Sequence, residues 1–334
     1  MLQVLRLRAK AMDAIRRFFG ERGFLEVDTP ALVPSPGLDV HLQAFDVRNP
    51  SGARVGWLAT SPEYQMKRLI CDGAERIFQL CRSYRADEQG THHEREFTML
   101  EWYRADASSE DVIADTEALV AAVATALDAP SAHLAAPWGR MSVTEAFETY
   151  AGAMVDPGDE DRFFRVWAEA IQPQLGRERP VIVNDWPASM ASLAKLKPNG
   201  TADRFEAFVR GVELCNGFGE LTDPVEQRRR FEQDRAKRRT AGQAVYPIDE
   251  RFIADLEQGM PESAGNALGV DRLLMLLTGS ESIQDVMPFP LVRLRPVLTF
   301  GGLCLLPHGI ERRLVVVAKA LAMTLRGQLA VTKA

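Results

Sequence analysis

The strand-forming segments of this 334-residue chain come as adjacent pairs, and no other feature narrows its fold as much. Arg76–Arg85 and Glu96–Tyr103 are separated only by the polar stretch Ala86–Arg95. Residues 204–220 fold back on themselves where Gly211 supplies a turn. Strands joined by so short a link lie antiparallel, because a parallel return needs a crossover of a dozen residues or more. The pattern predicts an α+β fold: an antiparallel β-sheet flanked by helices.

Helical spacing places the first helix on Leu5, Ala9, Met12, Ile15 and Phe19, closed by Gly23. Phe24–Thr29 is extended and stopped by Pro30. Segment 31–56 is mostly loop, with a short strand at His41–Val47, and Trp57–Ala59 is a further strand. Thr60-Ser61-Pro62-Glu63 has the form of a capping box opening a helix to Ile70. Asp223-Pro224-Val225-Glu226 has the same form and opens a charged helix ending near Gly242. Residues 110–127, 142–150 and 160–172 read as helices and Val181–Asn184 as a strand. Gly269–Leu277 is an apolar helix preceded by a glycine-containing strand.

Composition excludes several classes. An apolar fraction of 46% with 26% charged residues suits a globular chain, not a disordered or fibrous one. No apolar run reaches the roughly 18 residues of a membrane span, and the N-terminus lacks a signal-peptide core. Cys71, Cys81, Cys215 and Cys304 form no C-x-x-C pair, so neither a disulfide framework nor structural zinc is expected. A reducing compartment, the cytoplasm, fits. The net charge of −6 is unevenly spread: seven cations against Glu311 give residues 293–334 a charge of +6, leaving −12 for residues 1–292. So acidic a body does not wrap a nucleic-acid backbone, though a few arginines suffice to hold a small anion. The chain is expected to divide into a body, 1–292, and a basic C-terminal extension, 293–334.

Three clusters carry chemistry. Alternation puts Phe97, Met99, Glu101 and Tyr103 on one strand face, where a carboxylate beside a phenol can grip an ammonium or pair with an arginine. Arg85 ends the preceding strand, and the charged loop after it is either solvated or folds over a polyphosphate. In the second cluster Glu206 and Glu213 lie on facing strands and can share Mg²⁺ bound to a nucleotide. There Asn216, Phe218 and Glu220 alternate onto one face; the same residues also suit an ordinary half-exposed hairpin. In the third, Arg272 in the first turn of an apolar helix opposes the helix dipole and needs a partner. Asp271, a capping carboxylate or a γ-phosphate would serve.

In this order the clusters resemble the three signature motifs of class II aminoacyl-tRNA synthetases: residues 14–30, 76–103 and 264–279. The wording TSPEYQMKRL, EFTMLEWY, GVELCNGFGELTDP and ALGVDRLLMLLTG is most similar to the lysyl branch. The first motif begins almost at Met1, where a lysyl-tRNA synthetase carries an anticodon-binding barrel before it. The similarity is therefore to the stand-alone paralogues that attach (R)-β-lysine to elongation factor P. Ser61 and Ala267 support that branch, standing where tRNA-charging relatives typically have Ala and Gly.

The resemblance implies a class II catalytic fold, a homodimer, ATP as substrate with Mg²⁺, and no stable tRNA binding. Arg85, Ala86, Asp87, His93 and Glu94 would bind ATP with Glu213, Leu214, Gly269 and Arg272, while Glu206 and Glu213 would ligate Mg²⁺. Ser61, Pro62, Glu63, Glu101, Tyr103, Asn216, Phe218, Glu220 and Ala267 would form the amino-acid pocket. Glu63 would take the amine nearer the carboxylate, and Glu101, Tyr103 and Glu220 the ε-ammonium. The loop departs from the family in reading Ala86-Asp87-Glu88, and in having Glu94-Arg95 where Asn-Pro is common. An enzyme activating α-lysine for tRNA or another acceptor, or an idle lysine-sensing paralogue, fits the same residues.

Overall fold

The computed structural model describes residues 1–130 and 132–291; the expectations for segment 293–334 lie outside them. Residues Met1–Pro290 form one compact unit. Its strands are β1 (Leu25–Glu26), β2 (Leu32–Val33), β3 (Asp46–Arg48), β4 (Arg54–Leu58), β5 (Arg76–Tyr84), β6 (Glu96–Ala105), β7 (Gly139–Ser142), β8 (Val181–Asn184), β9 (Arg204–Val209), β10 (Val212–Gly219) and β11 (Ser263–Gly269). Its helices are α1 (Leu2–Gly20), α2 (Glu63–Cys71), α3 (Ser109–Ala126), α4 (Val143–Ala151), α5 (Glu160–Val166), α6 (Pro224–Thr240), α7 (Glu250–Gln258) and α8 (Val270–Thr278).

Eight strands form one sheet in the order β1-β5-β6-β11-β10-β9-β8-β7, and β2-β4-β3 form a small second one. From β5 to β8 every pairing is antiparallel, as the hairpins require. The two edges differ from expectation: β1 joins β5, and β7 joins β8, in parallel. Long helix-containing stretches connect those strands, so a crossover is available that short loops do not allow. Arg210 and Gly211 close β9 onto β10 with φ of +53° and +77°, the positive pair a two-residue hairpin turn favours.

Each face of the large sheet carries its own apolar core. Residues of α1, α3 and α8 pack on Phe78, Leu100, Trp102, Phe205 and Leu268. Residues of α2 and α4–α7 pack with Ile77, Tyr103, Phe208 and Phe218 on the other side. Period-two alternation along β6 and β9 decides which side chain joins which core. Phe19 ties α1 down, stacking on Phe78 with ring centroids 4.7 Å apart.

Several local expectations change. The Thr60–Glu63 capping box does not form: Pro62 is the N-cap, Thr60 Oγ1 donates to the Pro36 carbonyl at 2.6 Å, and Glu63 turns to Lys67. At α6 Asp223 does cap, accepting from Val225 and Glu226 N–H groups, but the Glu226 carboxylate bonds Arg229 and Arg230 instead of closing the box. Complete capping boxes occur at Ser108 with Asp111 and at Ser142 with Glu145. The helix expected over 160–172 ends at Val166 and runs on as a wider turn and a tight one containing Pro173. The strand expected at His41–Val47 is Asp46–Arg48.

Candidate active site

Strand β11 lies inside the large sheet, and alternation gives one of its faces three small residues: Gly265, Ala267 and Gly269. Larger side chains stand on either side. In register, Gln79, Glu101, Ala267, Asn216 and Glu206 make one row across five strands, and Ile77, Tyr103, Gly265, Phe218 and Arg204 the next. The small residues leave a trough beneath a cleft of about 450 Å³, walled by α2, α6 and the loops around 35–42 and 88–94. The space over Gly265 is taken by the Tyr103 ring, since a Cβ there would lie 2.3 Å from two of its carbons.

One end is acidic and largely buried. Ser61 Oγ donates to Glu101 Oε1 at 2.5 Å, and Tyr103 donates its hydroxyl to Oε2 at 3.0 Å. The Lys67 ammonium, wholly buried, pairs with Glu63 Oε1 at 2.6 Å and Glu220 Oε2 at 2.5 Å. Burial, with the Glu63 charge adding, pushes the Glu101 carboxyl up to about 8. Glu220 rises to about 8 through burial; Lys67 opposes the rise, and Glu63 and Glu101 add to it. Three carboxylates thus face one cation, an arrangement that positive charge from a ligand would relieve. Asn216 Oδ1 is buried in the same wall without a hydrogen-bond partner.

The other end is lined by arginines. Arg85 pairs with Glu88 at 2.9 Å and lies 5.1 Å from the Phe97 ring centroid. Arg272 donates to the His92 carbonyl at 3.1 Å and the Glu213 carbonyl at 2.9 Å, and lies 2.7 Å from His93 Nε2. It therefore pins the charged loop to β10. Asp271 is not its partner: that carboxylate is taken by Arg8 of α1 at 2.5 Å and by the Thr98 N–H at 2.6 Å. Loss of solvent, and then the Arg272 charge, hold His92 below the ordinary imidazole value.

Glu206 and Glu213 line the cleft between these ends. Burial lifts Glu206 to about 7, with Arg204 opposing and Glu213 adding. Glu206, buried, and Glu213 beside it are a pair of hard oxygen donors suited to a divalent cation. Arg204 donates to Glu206 Oε1, which leaves the second oxygen available.

The cleft brings together Ser61, Glu63, Glu101, Asn216, Phe218 and Ala267 with Arg85, His93, Glu94, Glu206, Glu213, Leu214, Gly269 and Arg272. Tyr103 and Glu220 sit behind its lining, bonded to Glu101 and Lys67. Pro62 serves as the α2 cap, and Ala86 donates its N–H to the Gln43 carbonyl. Asp87 is exposed and outside the cleft; Glu88 holds the acidic place beside Arg85. Sequence reasoning missed Lys67, although its spacing of four from Glu63 on one helix is the signal of an ion pair. It also missed Gln227 and Asp234, which face the cleft from α6.

Comparison with known proteins agrees with this geometry. The family described as tRNA synthetases class II (D, K and N) matches residues 1–293. A protein of Edwardsiella ictaluri named elongation factor P--(R)-beta-lysine ligase is 43% identical over 306 residues, covering 86% of this chain and 94% of that one. Proteins of the same name from Erwinia tasmaniensis and Klebsiella pneumoniae are 42% and 41% identical, each over 86% of this chain and 94% of their own. A three-motif cleft on a sheet of mainly antiparallel strands and a match across nearly all the described residues lead to one assignment: the chain belongs to the class II tRNA synthetases of the D, K and N type.

Proposed function

We propose that this protein is an AMP-forming, ATP-dependent ligase of the cytoplasm. On this reading it activates (R)-β-lysine as an aminoacyl-adenylate and transfers it to the ε-amine of a lysine on elongation factor P. The observation that carries the reading is the acidic end of the cleft, where Glu63, Glu101 and Glu220 surround the single Lys67 ammonium. Two of these carboxyls hold protons at neutral pH and ionise against an incoming cation, which suits a substrate with two ammonium groups. The names of the bacterial relatives support both the amino acid and the acceptor.

The residues divide the work. Glu63, Glu101 and Asn216 would hold the two ammonium groups, with Tyr103 bonding Glu101 from behind, Glu220 holding Lys67 against Glu63, and Phe218 as a wall. Ser61 and Ala267 both adjoin Glu101, Ser61 by hydrogen bond and Ala267 by register, so they set the shape of the pocket next to that anchor. Arg85 would exchange its Glu88 partner for the α-phosphate and the substrate carboxylate, and Arg272 would meet the γ-phosphate under the loop it pins. The carboxylate then attacks the α-phosphorus and pyrophosphate leaves. No protein nucleophile is needed; positioning and charge neutralisation supply the catalysis. Glu206 and Glu213 would hold Mg²⁺, which supplies charge neutralisation for the phosphates. A homodimer is part of the reading, and Leu2, Leu5 and Leu25, exposed on α1 and β1, support it.

The test is mass spectrometry of elongation factor P incubated with the protein, ATP and (R)-β-lysine. A gain of one lysyl residue on a single lysine is expected. An unmodified acceptor, alongside pyrophosphate exchange that prefers α-lysine, would overturn the reading.

A further inference from the structure

The proposed reaction has a third participant, the acceptor amine, for which no residue has yet been named. One wall of the cleft is a stripe of α6 at helical spacing: Gln227, Phe231 and Asp234. Asp39 and His41 face the same cleft from the loop after β2. Exposure falls along this wall, from exposed Asp39 and His41 through half-buried Asp234 to wholly buried Gln227.

Gln227 is the telling residue. Both its Nε2 and its Oε1 lack a hydrogen-bond partner, although it lines a cleft and has no exposed surface. Buried amides are almost always bonded, and this one has both its donor and its acceptor open to a group entering the cleft. At the outer end two carboxylates, Asp39 and Asp234, lie close enough to interact. Burial, with the Asp39 charge adding, raises Asp234 to about 6; Lys237 and Arg230 on α6 oppose, and Glu160 on α5 adds. Tyr64 of α2 joins the two regions, since its hydroxyl is raised by burial and then by Glu63, Asp234 and Asp39 together.

We propose that Asp39, Asp234 and Gln227 form the entry for the acceptor: a primary ammonium on an alkyl chain, the end of a lysine side chain of a protein. The inference rests on the ligase reading above. The two carboxylates draw the ammonium in, Phe231 receives the alkyl stem, and the Gln227 amide bonds the group beyond. An ammonium is no nucleophile, so one proton passes to the Asp234 carboxylate and leaves a neutral amine. Its lone pair forms the C–N bond to the adenylate carbonyl carbon. The C–O bond to phosphate breaks and AMP departs with that electron pair. The second proton of the new amide nitrogen passes to water, as does the one held by Asp234.

The test separates the two half-reactions. In Asp39→Asn, Asp234→Asn and the double variant, pyrophosphate exchange with (R)-β-lysine should stay near the wild-type rate, which also reports a folded enzyme. Transfer to elongation factor P, and AMP release driven by Nα-acetyl-lysine amide as a small probe, should fall by about 100-fold in the double variant. Transfer at the wild-type rate overturns the entry. So does an exchange rate that falls in step with transfer, which would assign the two carboxylates to ATP or the amino acid. Wild-type protein that responds to the small amine but leaves elongation factor P unmodified, with the response lost in the double variant, supports the entry and overturns only the acceptor protein. Wild-type protein that responds to neither overturns both readings.

Discussion

Lys67→Met keeps most of the side chain's length and removes its charge. Burial lowers the proton affinity of this ammonium, yet Glu220 and Glu63 together hold it above the ordinary lysine value, so it stays charged. Removing one partner from so buried a pair costs about 3–5 kcal/mol. The variant can relieve part of that cost by taking a proton onto one of the carboxylates. Glu220 and Glu101 already titrate at about 8 with Lys67 present, and without it the local values move higher still. The added proton is bound by the folded state and absent from the unfolded chain, where a glutamate titrates at about 4.3. With more protons bound when folded, stability falls as pH rises. Below pH 8 the wild type carries these protons as well, so the variant's extra proton counts only above that value, where it widens the gap to wild type by about 1.4 kcal/mol per pH unit. From pH 8 to pH 9 this amounts to roughly 3 °C in Tm for a chain of this size. Calorimetry of both proteins at pH 7, 8 and 9, without ligand, makes the measurement. A Tm difference that is the same at all three values would refute the reasoning and leave Lys67 a space-filling residue.

Gly265→Ala places a methyl group against the Tyr103 ring and 2.8 Å from Glu220 Oε1, so the KM for the amino acid should rise sharply, with about 1–3 kcal/mol lost in thermal unfolding. Arg272→Ala frees the His92 and Glu213 carbonyls, and steady-state exchange kinetics should show a raised KM for ATP with that for the amino acid little changed. Ser61→Ala with Ala267→Gly alters both neighbours of Glu101, and the ratio of exchange rates should move from (R)-β-lysine toward α-lysine; unchanged selectivity counts against that placement. Arg8→Met strands the buried Asp271 carboxylate and should cost about 3–5 kcal/mol in denaturant unfolding.

Much of the cleft was legible because alternation is local. Glu101 with Tyr103, Asn216 with Phe218, and Gly265 with Ala267 share a face in any strand of these sequences, and the register then sets them side by side. The hairpin turn at Gly211 was legible for the same reason. Capping was read less well. Thr60 and Glu63 have the right spacing, but each finds a stronger partner outside the turn, in the Pro36 carbonyl and the Lys67 ammonium. Asp87 and Glu88 could not be told apart by position alone; the loop's path brings only Glu88 back to Arg85. The parallel edges of the sheet were hidden too, since they depend on where long helical connections return the chain.

The sequence by itself determined the sheet-forming hairpins and the faces of the strands, because periods of two and 3.6 residues and short-loop closure are properties of neighbouring residues. The family was legible separately, through the resemblance of its three motifs. Only the tertiary structure decided which charge answers which. Arg8 meets Asp271 across 263 residues, and Lys67 settles between Glu63 and Glu220. Inside a low-dielectric core an ion takes whatever counter-charge the packing brings within a few ångströms, and no local spacing records that choice.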